Sequence, residues 1–311
     1  MSRFVPPFSG HPRVENLLQR LLSGGEIPSV LLFHGPQGVG KQRFAEAFAK
    51  ALLDPQHAFD LRLFSPVGAA WIHPIESMKA LISEASLPPF AAPYKICVVT
   101  EADRMSTEGA SVLLNTLEAP HSQVRVILIS SRPHLLLPTI LSRTFSVCFR
   151  PLSDESISLY LQSICQQSPK KAESLARLSQ GDLSKAQWLA EEGTALFDLI
   201  VALGSDLLFG RYGEILKGVK QLEDYLETRP SIERAEEILS LLFYWYRDLY
   251  LIQRGEDLSL IFFKEKEDQL KRCAERGNIP PLEEILEKMD QIYQALRLNI
   301  PLTVSLSDIL F

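Results

Sequence analysis

The 311-residue sequence predicts an α/β domain with a parallel sheet, followed by domains that are entirely helical. Apolar, strand-like runs alternate with helix-like segments in the first half, and strands separated by helices need crossover connections that make neighbouring strands parallel. After Pro151 the strand signal disappears and only helical periodicity remains. We therefore predict an α/β domain over 1–150, a small helical domain over 151–192 and a larger helical domain over 193–311.

Four apolar runs are the predicted strands, and helices are predicted between them. The first run leads directly into a glycine, as a strand buried on both faces does before a turn. Apolar residues at helical spacing predict a helix over Lys41–Leu53. A second helix is predicted to begin at Ser106 or Thr107 and to be closed by Pro120. The predicted strands are Ser29–Gly35, Lys95–Thr100, Val124–Ser131 and Thr144–Leu152.

The second half of the chain has the pattern of helices separated by glycine and proline. Its most apolar part, Leu241–Ile252, is hydrophobic nearly all round on a helical period, which is typical of a helix packed on several sides. Arg247 and Asp248 are the only charges in it, and they would need partners if they were buried. The predicted breaks are at Gly204, Gly210, Pro230, Gly255 and Asn278–Pro281.

Composition limits the class of protein. The net charge is −6, so a protein that coats DNA is not expected, although a local patch could still bind nucleic acid. The sequence shows no signal core and no run of about 20 apolar residues, which predicts a cytoplasmic protein without a membrane partner. The four cysteines form no CxxC pair, so neither a zinc site nor a disulfide framework is expected; they are Cys97, Cys148, Cys165 and Cys273.

The turn after the first strand has the pattern of a phosphate-binding loop, G-x-x-x-x-G-K-[ST]. In such a loop, backbone N–H groups and a helix N-terminus face phosphate oxygens, and Lys41 would reach the outer phosphates. A glycine-rich turn without a ligand is the alternative. Gln42 departs from the pattern, because an amide replaces the hydroxyl that ligates Mg²⁺, an ion strict about octahedral geometry. The candidate binding residues are Gly35, Pro36, Gln37, Gly38, Val39, Gly40, Lys41 and Gln42.

The end of the second predicted strand is the candidate for the acidic part of the site. In phosphoryl-transfer enzymes an Asp here helps to hold Mg²⁺, and a following Glu polarises the attacking water. Thr100 stands at the Asp position and cannot supply its charge, while Glu101 and Asp103 follow it. Two altered contacts to one metal ion predict lost or weak hydrolysis. An ordinary polar strand end is the alternative for Glu101 and Asp103.

Ser142 and Arg143 follow the third predicted strand and a proline-containing loop. A lone arginine there is usually a surface charge or a helix cap. It could equally be an arginine finger, which neutralises transition-state charge on a phosphoryl group bound by a neighbouring subunit. Spacing alone leaves both interpretations open.

Taken in order, these segments resemble the bacterial clamp-loader branch of the AAA+ ATPases. They read GPQGVGKQ, ICVVTEADRM, LLNTLEAP, VILISSRP and LPTILSR, and the helix LLNTLEAP followed by P-x-x-x-SR is specific to that branch. QGDLSKAQ resembles the lid segment that carries the second sensor residue, with Lys185 at the usual Arg position. LRLNIPLTVSLSDILF resembles the closing helix of the collar. The resemblance implies an AAA+ P-loop domain, a helical lid and a helical collar domain.

Within that branch, motor subunits (tau/gamma) keep an intact P-loop and acidic pair, whereas stator subunits commonly have degenerate versions of both and retain Ser-Arg. The sequence resembles the stators more closely. This implies a rigid member of a ring whose partners are tau/gamma and delta, and which opens the sliding clamp and loads it on primed DNA. Arg143 would then act in trans in the ATP site of an adjacent motor subunit, and Glu101 would belong to a degenerate acidic motif.

The resemblance implies that no cofactor is required, and weak binding of ATP, ADP or phosphate without metal is compatible with the loop. Many relatives carry a four-cysteine zinc module after the P-loop helix, but Ala51–Tyr94 contains no cysteine, so no zinc is expected. Thr144 replaces the Cys that usually follows Ser-Arg. Two other functions stay open: an active clamp-loader ATPase that tolerates Gln42, and an unrelated P-loop nucleotide kinase, in which residues 193–311 would have no role.

Overall fold

The computed structural model describes residues 4–24, 26–53, 59–68, 71–118, 122–227, 232–277, 279–298 and 300. The chain divides into two compact units. The first unit contains Met1–Cys165 and Ser179–Gln187, and the second contains Gln166–Leu178 and Trp188–Phe311. The domain boundaries at 150 and 192 stay a prediction, because compactness alone does not define them.

The first unit is built on a five-stranded sheet in the order β2-β3-β4-β1-β5, and every pair of neighbours is parallel. β1 therefore lies between two strands that come later in the chain, and the loop after it opens at the point where the strand order reverses. Ligands bind at such switch points in open α/β sheets. The strands are β1 Val30–His34, β2 Leu61–Phe64, β3 Lys95–Val99, β4 Val124–Ser130 and β5 Phe145–Cys148.

The sheet confirms the α/β prediction and all four predicted strands, and it adds β2, which the sequence did not indicate. β2 has only four residues and is half exposed at the sheet edge, so it lacks the continuous apolar signal of a buried strand. β5 is shorter than predicted. The regular ladder with β1 ends at the pair His34–Cys148, although the Phe149 N–H still donates to the His34 carbonyl at 2.7 Å.

Six helices of the first unit connect and cover these strands. α2 has the predicted bounds, and α4 begins at Thr107 as predicted, with the Ser106 hydroxyl accepting a hydrogen bond from the Gly109 N–H at 3.1 Å. One face of the sheet forms a buried apolar core with α3 and α4. The helices are α1 Pro12–Gly24, α2 Lys41–Leu53, α3 Ile75–Ser86, α4 Thr107–Glu118, α5 Pro138–Leu141 and α6 Asp154–Ser163.

The described part of the second unit is helical, as predicted. Breaks occur at Gly210, at Gly255 and between the last two helices, whereas Pro230 and residues 301–311 lie outside the described residues. None of the described helices combines the length and the apolar composition that crossing a membrane requires. The remaining helices are α7 Pro169–Ser179, α8 Leu183–Leu208, α9 Tyr212–Glu227, α10 Ile232–Arg254, α11 Glu267–Arg276 and α12 Leu282–Arg297, and both α7 and α8 contribute residues to each unit.

The predicted break at Gly204 is wrong, because α8 continues through it to Leu208. A Cβ added at Gly204 would lie 2.6 Å from the ring of Trp245, which is fully buried on α10. The glycine is therefore a packing residue that lets the indole approach the helix backbone, and it does not end the helix.

Asp248 on α10 is fully buried, and it has the partners that such a charge requires. Its Oδ2 accepts hydrogen bonds from the N–H groups of Phe262 and Phe263, both at 2.8 Å, and Arg247 lies 3.3 Å from Oδ1. Burial raises the pKa of Asp248 to about 6, although these contacts act against the shift. Asp248 thus fixes the segment between α10 and α11 from inside the unit.

Candidate functional site

The loop between β1 and α2 has the backbone shape of a P-loop. Gly35, Gly38 and Gly40 have φ values of +141°, +71° and +89°, a region that favours glycine. At Gly35 a side chain is excluded as well, because a Cβ would lie 2.2 Å from the carbonyl oxygen of Phe149. The loop is also held from the N-terminal segment, where His11 Nε2 donates to the Val39 carbonyl at 2.8 Å.

Lys41, the first residue of α2, is buried and points back across the loop. Its Nζ donates hydrogen bonds to the carbonyls of Gly35 at 2.8 Å and Pro36 at 2.5 Å, and to the hydroxyl of Ser131 at 3.1 Å. Burial lowers the pKa of Lys41 to about 8, while the negative charges of Asp103 and Asp182 act in the opposite direction. The lysine is therefore a positive charge held at the mouth of the loop.

Gln42 and Thr100, at the two positions where a metal ligand is expected, form hydrogen bonds with neighbouring protein groups. The Gln42 amide donates to Glu46 one turn further along α2, at 2.9 Å. The Thr100 hydroxyl lies 3.3 Å from the Phe64 carbonyl and 3.0 Å from the Ser65 hydroxyl, so it faces β2. Neither side chain is the usual Mg²⁺ ligand of its position, since Gln42 has an amide in place of a hydroxyl and Thr100 has a hydroxyl in place of a carboxylate. Among the described residues, no three His, Cys, Asp or Glu side chains form a group that could hold a metal.

Glu101 adopts a left-handed conformation with φ +45°, and its carboxylate is bound locally. It accepts a hydrogen bond from Trp71 Nε1 at 3.1 Å and pairs with Arg104 Nε at 2.5 Å. Glu101, the side chain that would polarise an attacking water, is thus hydrogen-bonded to an indole and paired with a guanidinium.

Asp103, by contrast, is at the centre of a network that the sequence did not predict. Its carboxylate is almost fully buried and is bound by the hydroxyl of Ser130 at 2.8 Å, the N–H of Ser131 at 3.3 Å and Arg132 Nε at 2.9 Å. Burial alone would raise the pKa of Asp103, but the hydrogen bonds from Ser130 and Arg132 outweigh it and leave the pKa below its usual value. Asp103 therefore stays ionised and joins the ends of β3 and β4.

Lid residues of the first unit cover the loop. The Leu183 N–H donates to the Gly38 carbonyl at 3.0 Å, and the Asp182 side chain rests against the Gly38 α-carbon. Asp182 also caps α8, accepting from the N–H of Lys185 at 2.8 Å. Lys185, the predicted sensor residue, thus lies in the first turn of a helix whose start is fixed against the P-loop.

A second contact of the lid involves Arg43, next to Gln42 on α2. Its guanidinium donates to the Tyr160 hydroxyl at 2.8 Å and to Gln187 Oε1 at 2.7 Å. Gln187 Nε2 in turn donates to the Tyr160 hydroxyl at 2.9 Å. Three side chains that are far apart in sequence thereby close a polar triangle beside the loop.

Arg143 lies on the exposed surface between α5 and β5. Its Nη1 donates to the Thr139 carbonyl at 2.9 Å and lies 3.3 Å from the Ser142 hydroxyl, which itself donates to Thr139 at 3.1 Å. The Ser-Arg pair is therefore anchored on the carbonyl of one short helix, with the guanidinium on the surface of the first unit.

Comparison with known proteins finds relatives among the subunits of DNA polymerase III. Residues 10–153 match the family model for "DNA polymerase III, delta subunit". The delta' subunit of Bacillus subtilis DNA polymerase III is 27% identical over 277 residues, which cover 81% of this chain and 80% of that protein. The chain is thus similar to the delta subunit family of DNA polymerase III over residues 10–153, and to a delta' subunit over most of its length.

A second subunit of DNA polymerase III and a solved structure also match. The tau subunit of Bacillus subtilis is 23% identical over 325 residues; the match covers 93% of this chain but only 57% of tau, so less than two thirds of that protein is represented. A solved structure of a gamma subunit-related protein from Thermotoga maritima aligns with a TM-score of 0.44 and 17% identity, covering 90% of this chain and 98% of that one. The similarity to DNA polymerase III subunits rests on the sequence matches.

The course of the P-loop was predictable from the sequence, whereas the contacts of Ser131 and Asp182 and the central position of Asp103 were not. The serines directly after β4 were visible as polar residues at a strand end, beside the candidate site. Asp182 left no comparable signal, because its contact with Gly38 joins segments that are distant in the chain.

Proposed function

We propose that this chain is a delta-prime-type stator of a cytoplasmic DNA polymerase III clamp loader. The observation that carries the proposal is the state of the metal positions: Gln42 and Thr100 are hydrogen-bonded to neighbouring groups, and neither brings the hydroxyl or the carboxylate that usually holds Mg²⁺ at its position. Without that ion the γ-phosphate would lose its main source of charge neutralisation. In this proposal the chain needs no cofactor, and its P-loop binds ATP, ADP or phosphate weakly if at all.

The chemical contribution of the chain is Arg143, supplied to the ATP site of an adjacent tau/gamma subunit. Its exposure and its anchoring on Thr139 favour this role, because a finger must be accessible and yet held in position. The helices from 193 onwards would form the collar that joins tau/gamma and delta, and the assembled ring would act on the sliding clamp and primed DNA.

The test is reconstitution of the loader with Arg143→Ala, Arg143→Lys or Arg150→Ala. Arg150 is a matched control, since it is an exposed arginine beyond the other end of β5. We expect Arg143→Ala to lower clamp- and DNA-stimulated ATP turnover by about 10³-fold, as loss of an arginine finger does, with Arg143→Lys restoring little and Arg150→Ala having no effect. Unchanged turnover with Arg143→Ala would remove the finger from the mechanism.

A working tau/gamma-like ATPase is the second candidate, and the intact course of the P-loop with Lys41 at its mouth favours it. The purified chain would then hydrolyse ATP, and Lys41→Ala would abolish the activity. The stator proposal expects no turnover by the isolated chain. It also expects Gln42→Thr combined with Thr100→Asp to be needed before any Mg²⁺-dependent activity emerges.

A further inference from the structure

The carboxylate of Asp182 lies against the P-loop itself. A Cβ added at Gly38 would lie 1.7 Å from Oδ1 and 2.2 Å from Oδ2 of Asp182, so both oxygens face the α-carbon in the middle of the loop. Gly38 has φ +71°. The glycine thus serves two needs, a left-handed turn and the close approach of a charged side chain.

Backbone hydrogen bonds hold Asp182 in this position. On its C-terminal side, the Leu183 N–H donates to the Gly38 carbonyl at 3.0 Å. Its own N–H donates to Ser179 at 3.0 Å, and its Oδ1 accepts from Lys185 N–H at 2.8 Å. The carboxylate therefore has a fixed orientation and is not a mobile surface charge.

The charge of Asp182 acts on the residue that a phosphate would use. Burial raises the pKa of Asp182 and lowers that of Lys41 to about 8, and the attraction between the two charges acts against both shifts. In a P-loop, the lysine and the backbone N–H groups are the source of attraction for a phosphate. Lys41 Nζ donates its hydrogen bonds to Gly35, Pro36 and Ser131, so Asp182 acts on it through charge alone. An incoming anion would meet that like charge in a half-buried site.

We propose that Asp182 is an intramolecular competitor of phosphate at the P-loop, so that neutralising it opens the loop to diphosphate anions such as pyrophosphate and the phosphate chain of ADP. The inference rests on the proposed function in one respect, that the loop is a non-hydrolysing site. It goes further because it attributes the weak binding of anions to the carboxylate of Asp182, whereas the proposed function attributes it to the altered metal positions.

The variants Asp182→Asn and Asp182→Ser remove the charge and keep the helix cap. Asn and Ser are both favourable N-cap residues, so the start of α8 retains an acceptor for the Lys185 N–H. Asp154→Asn is the matched control, because Asp154 is an exposed carboxylate in the first turn of α6 in the same unit. It removes the same formal charge from an exposed position of the chain.

The experiment is calorimetric titration of the purified full chain with inorganic pyrophosphate, and then with ADP, in the absence of divalent metal. We expect both Asp182 variants to bind at least about tenfold more tightly than the unmodified chain, and Asp154→Asn to bind as the unmodified chain does. Adding Lys41→Ala to Asp182→Asn should remove the gain. Thermal melting of each variant verifies that it is folded.

Three results would overturn the proposal: no gain in either folded Asp182 variant, an equal gain with Asp154→Asn, or a gain that survives Lys41→Ala. The proposed function fails separately. If the Asp182→Asn chain hydrolysed ATP alone, the stator assignment would fall while the competition would stand. If Arg143→Ala left the ATP turnover of the loader unchanged, the arginine-finger proposal would be wrong, and the pyrophosphate titrations would still test the role of Asp182.

Discussion

The Lys41 ammonium donates a hydrogen bond to the Ser131 hydroxyl at 3.1 Å, and this contact joins the P-loop to the end of β4. The Ser131 N–H in turn lies 3.3 Å from the Asp103 carboxylate, just after β3. The ends of three neighbouring strands therefore share one hydrogen-bonded network. The network holds the loop against the ends of β3 and β4.

Asp103→Asn should lower the free energy of unfolding of the first unit by about 1–3 kcal/mol, because it leaves the partners of a buried carboxylate incompletely paired. Chemical denaturation measures the change. Glu108→Gln, at an exposed position in the first turn of α4, is the control and should change stability little. Equal stability of Asp103→Asn and the unmodified chain would show that the network does not hold the strand ends together.

The raised pKa of Asp248 predicts a pH dependence of stability in the second unit. A carboxyl group that binds its proton more tightly when folded contributes stability below its unfolded pKa of about 4, and that contribution is lost as pH rises through about 6. Relative to Asp248→Asn, the unmodified chain should therefore gain about 2 kcal/mol between pH 7 and pH 4.

Equilibrium unfolding followed by tryptophan fluorescence measures this difference, because Trp188 and Trp245 are buried in the second unit. Asp224→Asn on α9 is an exposed control in the same unit. Parallel pH profiles for the unmodified chain and Asp248→Asn would contradict the assignment.

Gly204→Ala should destabilise the second unit by about 1–3 kcal/mol, because the new methyl group would overlap the Trp245 ring. Gly213→Ala is a matched substitution, since Gly213 is also helical but has open space around its Cβ position. That change should be neutral or stabilise α9 by up to about 1 kcal/mol. Thermal melting of the two variants distinguishes a glycine required for packing from one that only weakens its helix. If both variants melted well below the unmodified chain, this interpretation would be wrong.

A thiol reagent should modify Cys148 before Cys97. Cys148 is exposed on the edge strand β5, whereas Cys97 is buried in β3, where burial raises the pKa of its thiol to about 12 and keeps it protonated. Because the thiolate is the reactive form, the difference in rate should be large. Mass spectrometry of peptides after brief treatment with a maleimide measures it, and rapid labelling of Cys97 would indicate that the sheet opens.

The parts of the fold predictable from sequence are those encoded by neighbouring residues. Apolar runs gave the buried strands, and the spacing Gly35–Lys41 gave the loop. Long-range contacts were out of reach: Gly204 looked like a helix breaker because its partner Trp245 lies on another helix. Asp182 looked like an ordinary lid residue because Gly38 is distant in the chain. The metal positions were predictable, since the residue types of Gln42 and Thr100 suffice to exclude the usual ligands.

The short edge strand β2 has a consequence for solubility. An exposed edge offers unpaired backbone groups to other chains, and Leu63 and Phe59 add exposed apolar surface beside it. β2 limits this hazard through its length of four residues and through Arg62, which pairs with Glu84 at 3.3 Å at the same edge. The charge discourages a foreign strand from extending the sheet, so the chain can keep an open edge and still resist aggregation.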